Sequence, residues 1–220
     1  MIAIASHTPL RANGIRQNFI DAGASAPVVL LHGFPEINYA WRNQIPVLGE
    51  LYRIIAPDLR GYGETDKPAG GYDKRTMARD LVAPLDGLGL GKIALVGHDR
   101  GARVATRFAK DYPERVDRLV VMDNVPTRIV AREINAEIAK AHWFFLFHLV
   151  PDLPETLIAG KEEQWLRWFF SDWAYDPAAI SGDAFDTYVR LSRAWRRARR
   201  HGRLPGQCPG PRTGRGRRRH

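Results

Sequence analysis

Four short apolar runs limit what this chain can fold into more than anything else in it: PVVLLHG (27–33), YRIIAPD (52–58), KIALVGHD (92–99) and RLVVMD (118–123). Each is brief, rich in Val, Ile and Leu, and bounded by turn-forming residues. A strand buried on both faces reads this way. Stretches of helical period lie between them, KRTMARDLVAPLDGLG (74–89) and RGARVATRFAKDYP (100–113). Strands alternating with helices predict crossover connections and a mostly parallel sheet. Each run ends on a small or polar residue: His32-Gly33, Asp58, Asp99 and Asp123. Sheets of this kind bind ligands at the carboxyl ends of their strands, so chemistry is expected along that edge.

The texture changes at Val125. AREINAEIAKAHWFFLFHLV (131–150) and EEQWLRWFFSDWAYD (162–176) are helical in pattern and rich in aromatics, with no strand between them. They predict a helical cap inserted after the fourth run. Its tryptophans, Trp143, Trp165, Trp168 and Trp173, fit either a plain core or a pocket wall. The chain therefore divides into a core over 1–124, a cap over 125–190 and an arginine-rich tail over 191–220.

The tail carries the charge. The formal balance of the whole chain is +9, yet residues 1–189 alone sum to −3, and twelve arginines fall from Arg190 onward. A basic tail can hold nucleic acid or anionic lipid by counterion release. This one has no interleaved aromatics and no folding pattern, so a disordered or out-of-frame end is expected and no specific nucleic-acid partner. No apolar run reaches 18 residues, so no membrane span is expected. The lone Cys208 cannot close an internal disulfide, and the first residues lack the pattern of a secretory signal. A cytoplasmic protein is the reading that follows.

VGHDRGARVA (96–105) carries the sharpest chemical signal. It sets Gly97-x-Asp99-x-Gly101 between a strand and a helix, the arrangement of a nucleophile elbow. The glycines let strand and helix approach closely around one strained residue, whose side chain then projects over the sheet edge. A carboxylate has no proton to lose, so it attacks an sp³ carbon directly and forms an ester that water must later cleave. The alternative is an ordinary turn with Asp99 as a helix N-cap.

HGFP (32–35), DLRGYGETDKP (58–68), GHDRGARVA (97–105) and DNVPT (123–127) occur in order at the strand ends. Together they resemble the α/β-hydrolase superfamily, in particular its Asp-nucleophile branch of haloalkane dehalogenases, epoxide hydrolases and haloacetate dehalogenases. The resemblance runs over roughly residues 10–190. It implies an α/β-hydrolase fold, a mostly parallel sheet with an inserted helical cap, with Asp99 as nucleophile. It places the Phe34 and Arg100 amides at the ester carbonyl and Asp123 as the acid that orients a histidine base.

HDRGAR is similar to the haloacetate (fluoroacetate) dehalogenase pattern, in which both arginines hold the substrate carboxylate. Arg100 and Arg103, at i and i+3, lie on one helix face and suit that clamp. The alternative for Arg103 is a surface arginine paired to its neighbours. The same resemblance makes His142 and Trp143 the halide-binding pair, with Trp173 as further wall; without that context an aromatic–histidine pair is core packing. It implies no metal and no organic cofactor, and leaves a homodimer open.

Beyond about Arg190 the resemblance stops. The expected further strands and the histidine on the loop after them are absent from this sequence; His201 and His220 lie in the arginine tail, and His98 and His32 are poorly directed substitutes. The sheet core is accordingly expected to be incomplete at its C-terminal end, by truncation or by a reading-frame shift near Ser192. The activity implied is hydrolysis of a short 2-haloacid such as fluoroacetate to a hydroxyacid and halide, impaired by loss of the base. The alternatives are an epoxide hydrolase, for which Tyr175 and Tyr188 are the available acids, and a non-catalytic remnant.

Overall fold

A computed structural model describes residues 6–192. The expected tail from residue 193 on, together with Cys208, His201 and His220, lies outside the described residues, and its first two residues, Leu191 and Ser192, are helical. The four apolar runs form four strands, β3 (Pro27–Leu31), β4 (Arg53–Pro57), β5 (Ile93–His98) and β6 (Val116–Met122). They are preceded by a hairpin of β1 (Ser6–Ala12) and β2 (Ile15–Ala22). The sheet runs β1-β2-β4-β3-β5-β6; β3 to β6 are parallel, and the hairpin joins antiparallel through β2. This is the α/β arrangement with a mostly parallel sheet.

Strand periodicity divides the core into two faces. Val29 and Leu31 of β3, Ile55 of β4 and Ile93 and Leu95 of β5 point to one face. There they meet Met77 and Ala78 of α2 (Lys74–Arg79), Leu85 of α3 (Val82–Gly87) and Val104, Ala105 and Phe108 of α4 (Arg100–Asp111). Val28, Leu30, Ile54 and Ala56 point the other way, onto Trp41 and onto Ile45 of α1 (Gln44–Leu48). The single helix expected over 74–89 is two. Pro84 has no N–H for the carbonyl of Asp80 and its ring crowds that carbonyl, so the helix breaks there. Asp73 begins the first piece by accepting from the amides of Arg75 and Thr76.

β6 is the edge strand among the described residues, and Leu119, Val120 and Val121 on it are 39–48% exposed. After it the chain is helical: α5 (Thr127–Arg132), α6 (Ala136–Ala141), α7 (Trp143–Phe147), α8 (Leu153–Ile158), α9 (Glu162–Asp172) and α10 (Gly182–Ser192). This region meets the sheet through aromatic rings. Phe34, on the loop after β3, packs against Phe144, Phe169 and His148 at ring-centroid distances of 6.1, 5.2 and 5.5 Å. None of the described helices is long and apolar enough to cross a membrane.

Candidate active site

Asp99 stands at the joint of β5 and α4 with φ 44° and ψ −107°, a backbone conformation that costs an L-residue energy and persists only where its surroundings hold it. Four features hold it. Its amide donates to Met122 O at 3.0 Å, extending the β5–β6 ladder by one step. Its carbonyl accepts from Arg103 N and so opens α4. A Cβ on Gly97 would lie 2.6 Å from the backbone of Ala102, and one on Gly101 would meet the backbone carbonyl of Leu31 closer still, so strand and helix touch where side chains would stand. The fourth is a hydrogen bond to the carboxylate itself: Phe34 N donates to Asp99 Oδ2 at 2.9 Å. Asp99 occupies the N-cap position but its carboxylate caps nothing. It faces the HGFP loop.

A cavity of about 210 Å³ opens beside it, lined by Asp99, Arg103, Asp123, Asn124, His142 and Trp173, with Phe144 and Phe145 among the rest of the wall. Arg103 is fixed from two sides. Its Nε donates to Asn124 Oδ1 at 3.0 Å, and its guanidinium carbon sits 4.2 Å above the centre of the Phe145 ring. Asp123 ends β6 with φ 47°, its side chain 87% exposed and its Oδ2 3.7 Å from His98 Nε2. His142 brings its ring to the cavity, with Nδ1 3.2 Å from Ile138 O. A carbonyl only accepts, so Nδ1 carries the proton and the neutral ring offers a lone pair at Nε2. Donating toward a leaving group would require the imidazolium.

Two expected positions fall off the wall of this cavity. Trp143 does not line the Asp99 cavity. It faces a separate apolar groove of about 500 Å³ with Phe147, Trp165 and Trp168. The chain breaks at His142 between α6 and α7, and successive helical residues diverge by about 100°, so the two halves of the pair point apart. Phe144 and Phe145 take the place expected for it. Arg100 is the second. It is only 5% exposed and is absent from the cavity wall, lying near enough to His148 to disfavour protonation of that ring. Of the two arginines, Arg103 alone lines this cavity.

Four histidine rings are described in and around this region. His32 is wholly buried, Nδ1 2.9 Å from Gly33 O and Nε2 accepting from Leu59 N–H at 3.0 Å. Its tautomer is thus fixed, and burial pushes its pKa down. His148, which the sequence reading did not single out, packs on Phe34; burial lowers it to about 4. Its signal was its place six residues after His142 in an otherwise aromatic run. Asn124 and Phe145, which fix Arg103, were in quoted motifs but unassigned. Glu36, next after HGFP, reaches His98 Nδ1 at 3.2 Å.

The model of the α/β-hydrolase fold family matches residues 26–176, and the chain belongs to that family. Within it, the soluble epoxide hydrolase of Corynebacterium sp. (strain C12) is 40% identical over 85% of this chain and 67% of its own length. The fluoroacetate dehalogenase of Burkholderia sp is 35% identical over 77% of this chain and 56% of its own length. Among solved structures, the epoxide hydrolase CorEH without ligand superposes with a TM-score of 0.84 at 38% identity, covering 89% of this chain and 71% of that one. The chain spans 67% and 56% of the length of these two curated relatives and 37% of others, such as epoxide hydrolase 3 of Siraitia grosvenorii, and names of both activities occur among them.

Proposed function

We propose that this hydrolase acts on short 2-haloacids through a covalent ester on Asp99. One observation carries the reading: a guanidinium, that of Arg103, shares a small cavity with a carboxylate poised at the tip of the sheet. A neutral substrate has no use for that charge, whereas a carboxylate bearing halogen on the adjacent carbon pairs with it and presents that carbon to Asp99. The Asp99 oxygen not held by Phe34 attacks, the carbon–halogen bond breaks, and halide leaves with the electron pair. Water adding at the ester carbonyl returns Asp99 and releases the hydroxyacid. The Phe34 amide is placed to steady the oxyanion of that second step.

The second step needs a base to take a proton from water. Among the described residues His32 has both ring nitrogens engaged, His148 is buried, and the nitrogens of His98 lie against Glu36 and Asp123. His142, the fourth, lines the cavity, and this reading gives it to the leaving halide, a role that takes the imidazolium and leaves no lone pair for water. On this reading the chain alone forms the ester readily and cleaves it slowly, because general-base help is typically worth about 10²–10⁴-fold. Incubation with bromoacetate should release about one bromide per protein. Intact-mass measurement should show a carboxymethyl adduct that maps to Asp99. Sustained turnover by the 220-residue chain would overturn the missing base, and a folded protein with no adduct would overturn the reading itself.

Epoxide hydrolysis is the second reading, favoured by the higher identity and coverage of the Corynebacterium relative. It requires an acid at the epoxide oxygen. Tyr175 is fully exposed and Tyr188 is buried against Tyr39 and Phe170, and neither lines the Asp99 cavity. Styrene oxide in place of bromoacetate separates the two: an adduct with the epoxide and none with the haloacid would reverse their order.

A further inference from the structure

Three carboxylates, Glu36, Asp99 and Asp123, gather around one imidazole for which the alkylation chemistry has no use. His98 is the last residue of β5. Its Nδ1 lies 3.2 Å from Glu36 Oε2 and its Nε2 3.7 Å from Asp123 Oδ2. The ring therefore reaches both loops that flank Asp99. One is the β3 loop, where Phe34 N–H holds the Asp99 carboxylate. The other is the turn after β6, where Asn124 holds Arg103. A neutral imidazole has a single N–H and no charge; the imidazolium donates to Glu36 through Nδ1 and, as an ion pair, attracts Asp123 across 3.7 Å from Nε2. Taking Asp99 as the nucleophile proposed above, we infer that His98 is a positioning residue, whose protonated ring ties Glu36 to Asp123 and thereby sets the Phe34 amide and Asn124 about the Asp99 carboxylate.

The surroundings favour the protonated ring. The hydrogen bond to Glu36 raises the His98 pKa most, burial opposes it, and the charges of Glu36, Asp99 and Asp123 raise it further. His32, facing the same ring from β3, stays neutral in its fixed tautomer and adds no charge. Behind Glu36 stand Tyr188 of α10 and Arg42. Burial, with the Glu36 charge adding to it, keeps Tyr188 un-ionised, and Arg42 offsets part of the Glu36 field. The tie is thus complete below the His98 pKa and released above it.

NMR titration of the histidine rings and backbone amides tests this without any substrate. His98 should titrate above the ordinary value of about 6.5. Glu36→Gln should lower its midpoint by about one pH unit or more, because the strongest partner of the imidazolium is lost. The Phe34 amide resonance should shift with the same midpoint in the native chain and lose that dependence in Glu36→Gln. In parallel, the rate of Asp99 alkylation by bromoacetate should fall about tenfold across that midpoint. His98→Gln should be slow at every pH, and His98→Lys, charged throughout, should recover rate and lack the basic limb. A His98 midpoint at or below the ordinary value, or a Phe34 amide indifferent to it, overturns the tie. A native chain that shows the linked titrations but is never alkylated overturns the nucleophile instead.

Discussion

β5 and β6 lie side by side, run in the same direction, and each delivers an aspartate with a left-handed backbone, Asp99 at φ 44° and Asp123 at φ 47°. There the likeness ends. Asp99 is clasped between two glycines, a neighbouring strand's carbonyl, the start of a 12-residue helix and an amide from the next loop. Asp123 is 87% exposed, with the His98 ring 3.7 Å away and no helix until Thr127. A positive φ is therefore not by itself what holds a carboxylate in place. What differs is the number of independent constraints that fix where its oxygens point.

The comparison can be broken most decisively at Asp99 itself. Asp99→Asn keeps the shape and the contact to Phe34 but loses the attacking charge, and the carboxymethyl adduct should vanish by mass spectrometry while the melting temperature stays put. Arg103→Met comes next. Removing one partner of a desolvated charge pair should weaken haloacetate alkylation by about 2–4 kcal/mol and leave neutral esters or epoxides nearly untouched. Equal losses would make Arg103 structural.

A comparable effect should come from acid, acting on the clasped turn through His148 beneath Phe34. The folded ring binds its proton only near pH 4, whereas the unfolded ring binds it near 6.5. Stability from this group is therefore complete above about 6.5 and lost as the pH falls toward 4, a change on the order of 3 kcal/mol. Chemical denaturation at pH 7 and pH 4.5 measures it, and His148→Gln should flatten the difference. Gly101→Ala should cost about 1–3 kcal/mol by overpacking against the Leu31 carbonyl. Asp123→Ala, on the open turn, should change stability by no more than about 0.5 kcal/mol. Matching losses at Gly101 and Asp123 would erase the distinction between the two turns.

Much of this was legible in the residues. The four apolar runs became β3 to β6 with ends shifted by one or two positions, because a strand buried on both faces has little other way to be written. The β1–β2 hairpin was missed, although Asn13-Gly14, both at positive φ, is a strong two-residue hairpin signal. The elbow was legible because glycine spacing encodes a close backbone approach. The wall of the cavity was not. In WFFLF every residue is apolar, so the pattern does not say how α7 is rotated, and Trp143 and Phe145, about 200° apart around the helix, exchange roles. Arg100 shows a related limit: helix spacing gives a face shared with Arg103 but not the depth at which that face is covered.

The close approach at Gly97 and Gly101 also bears on how such a protein could be diversified. No side chain fits at either position without pushing backbone aside, and the neighbouring loop amide is spoken for, so the Asp99 end of the cavity admits almost no variation. Phe144, Phe145 and Trp173 come instead from the helical region, and the last of them is 44% exposed. Libraries aimed at new substrates should be spent on those three positions, where a change in volume reshapes the cavity without disturbing the hinge of strand and helix that aims Asp99.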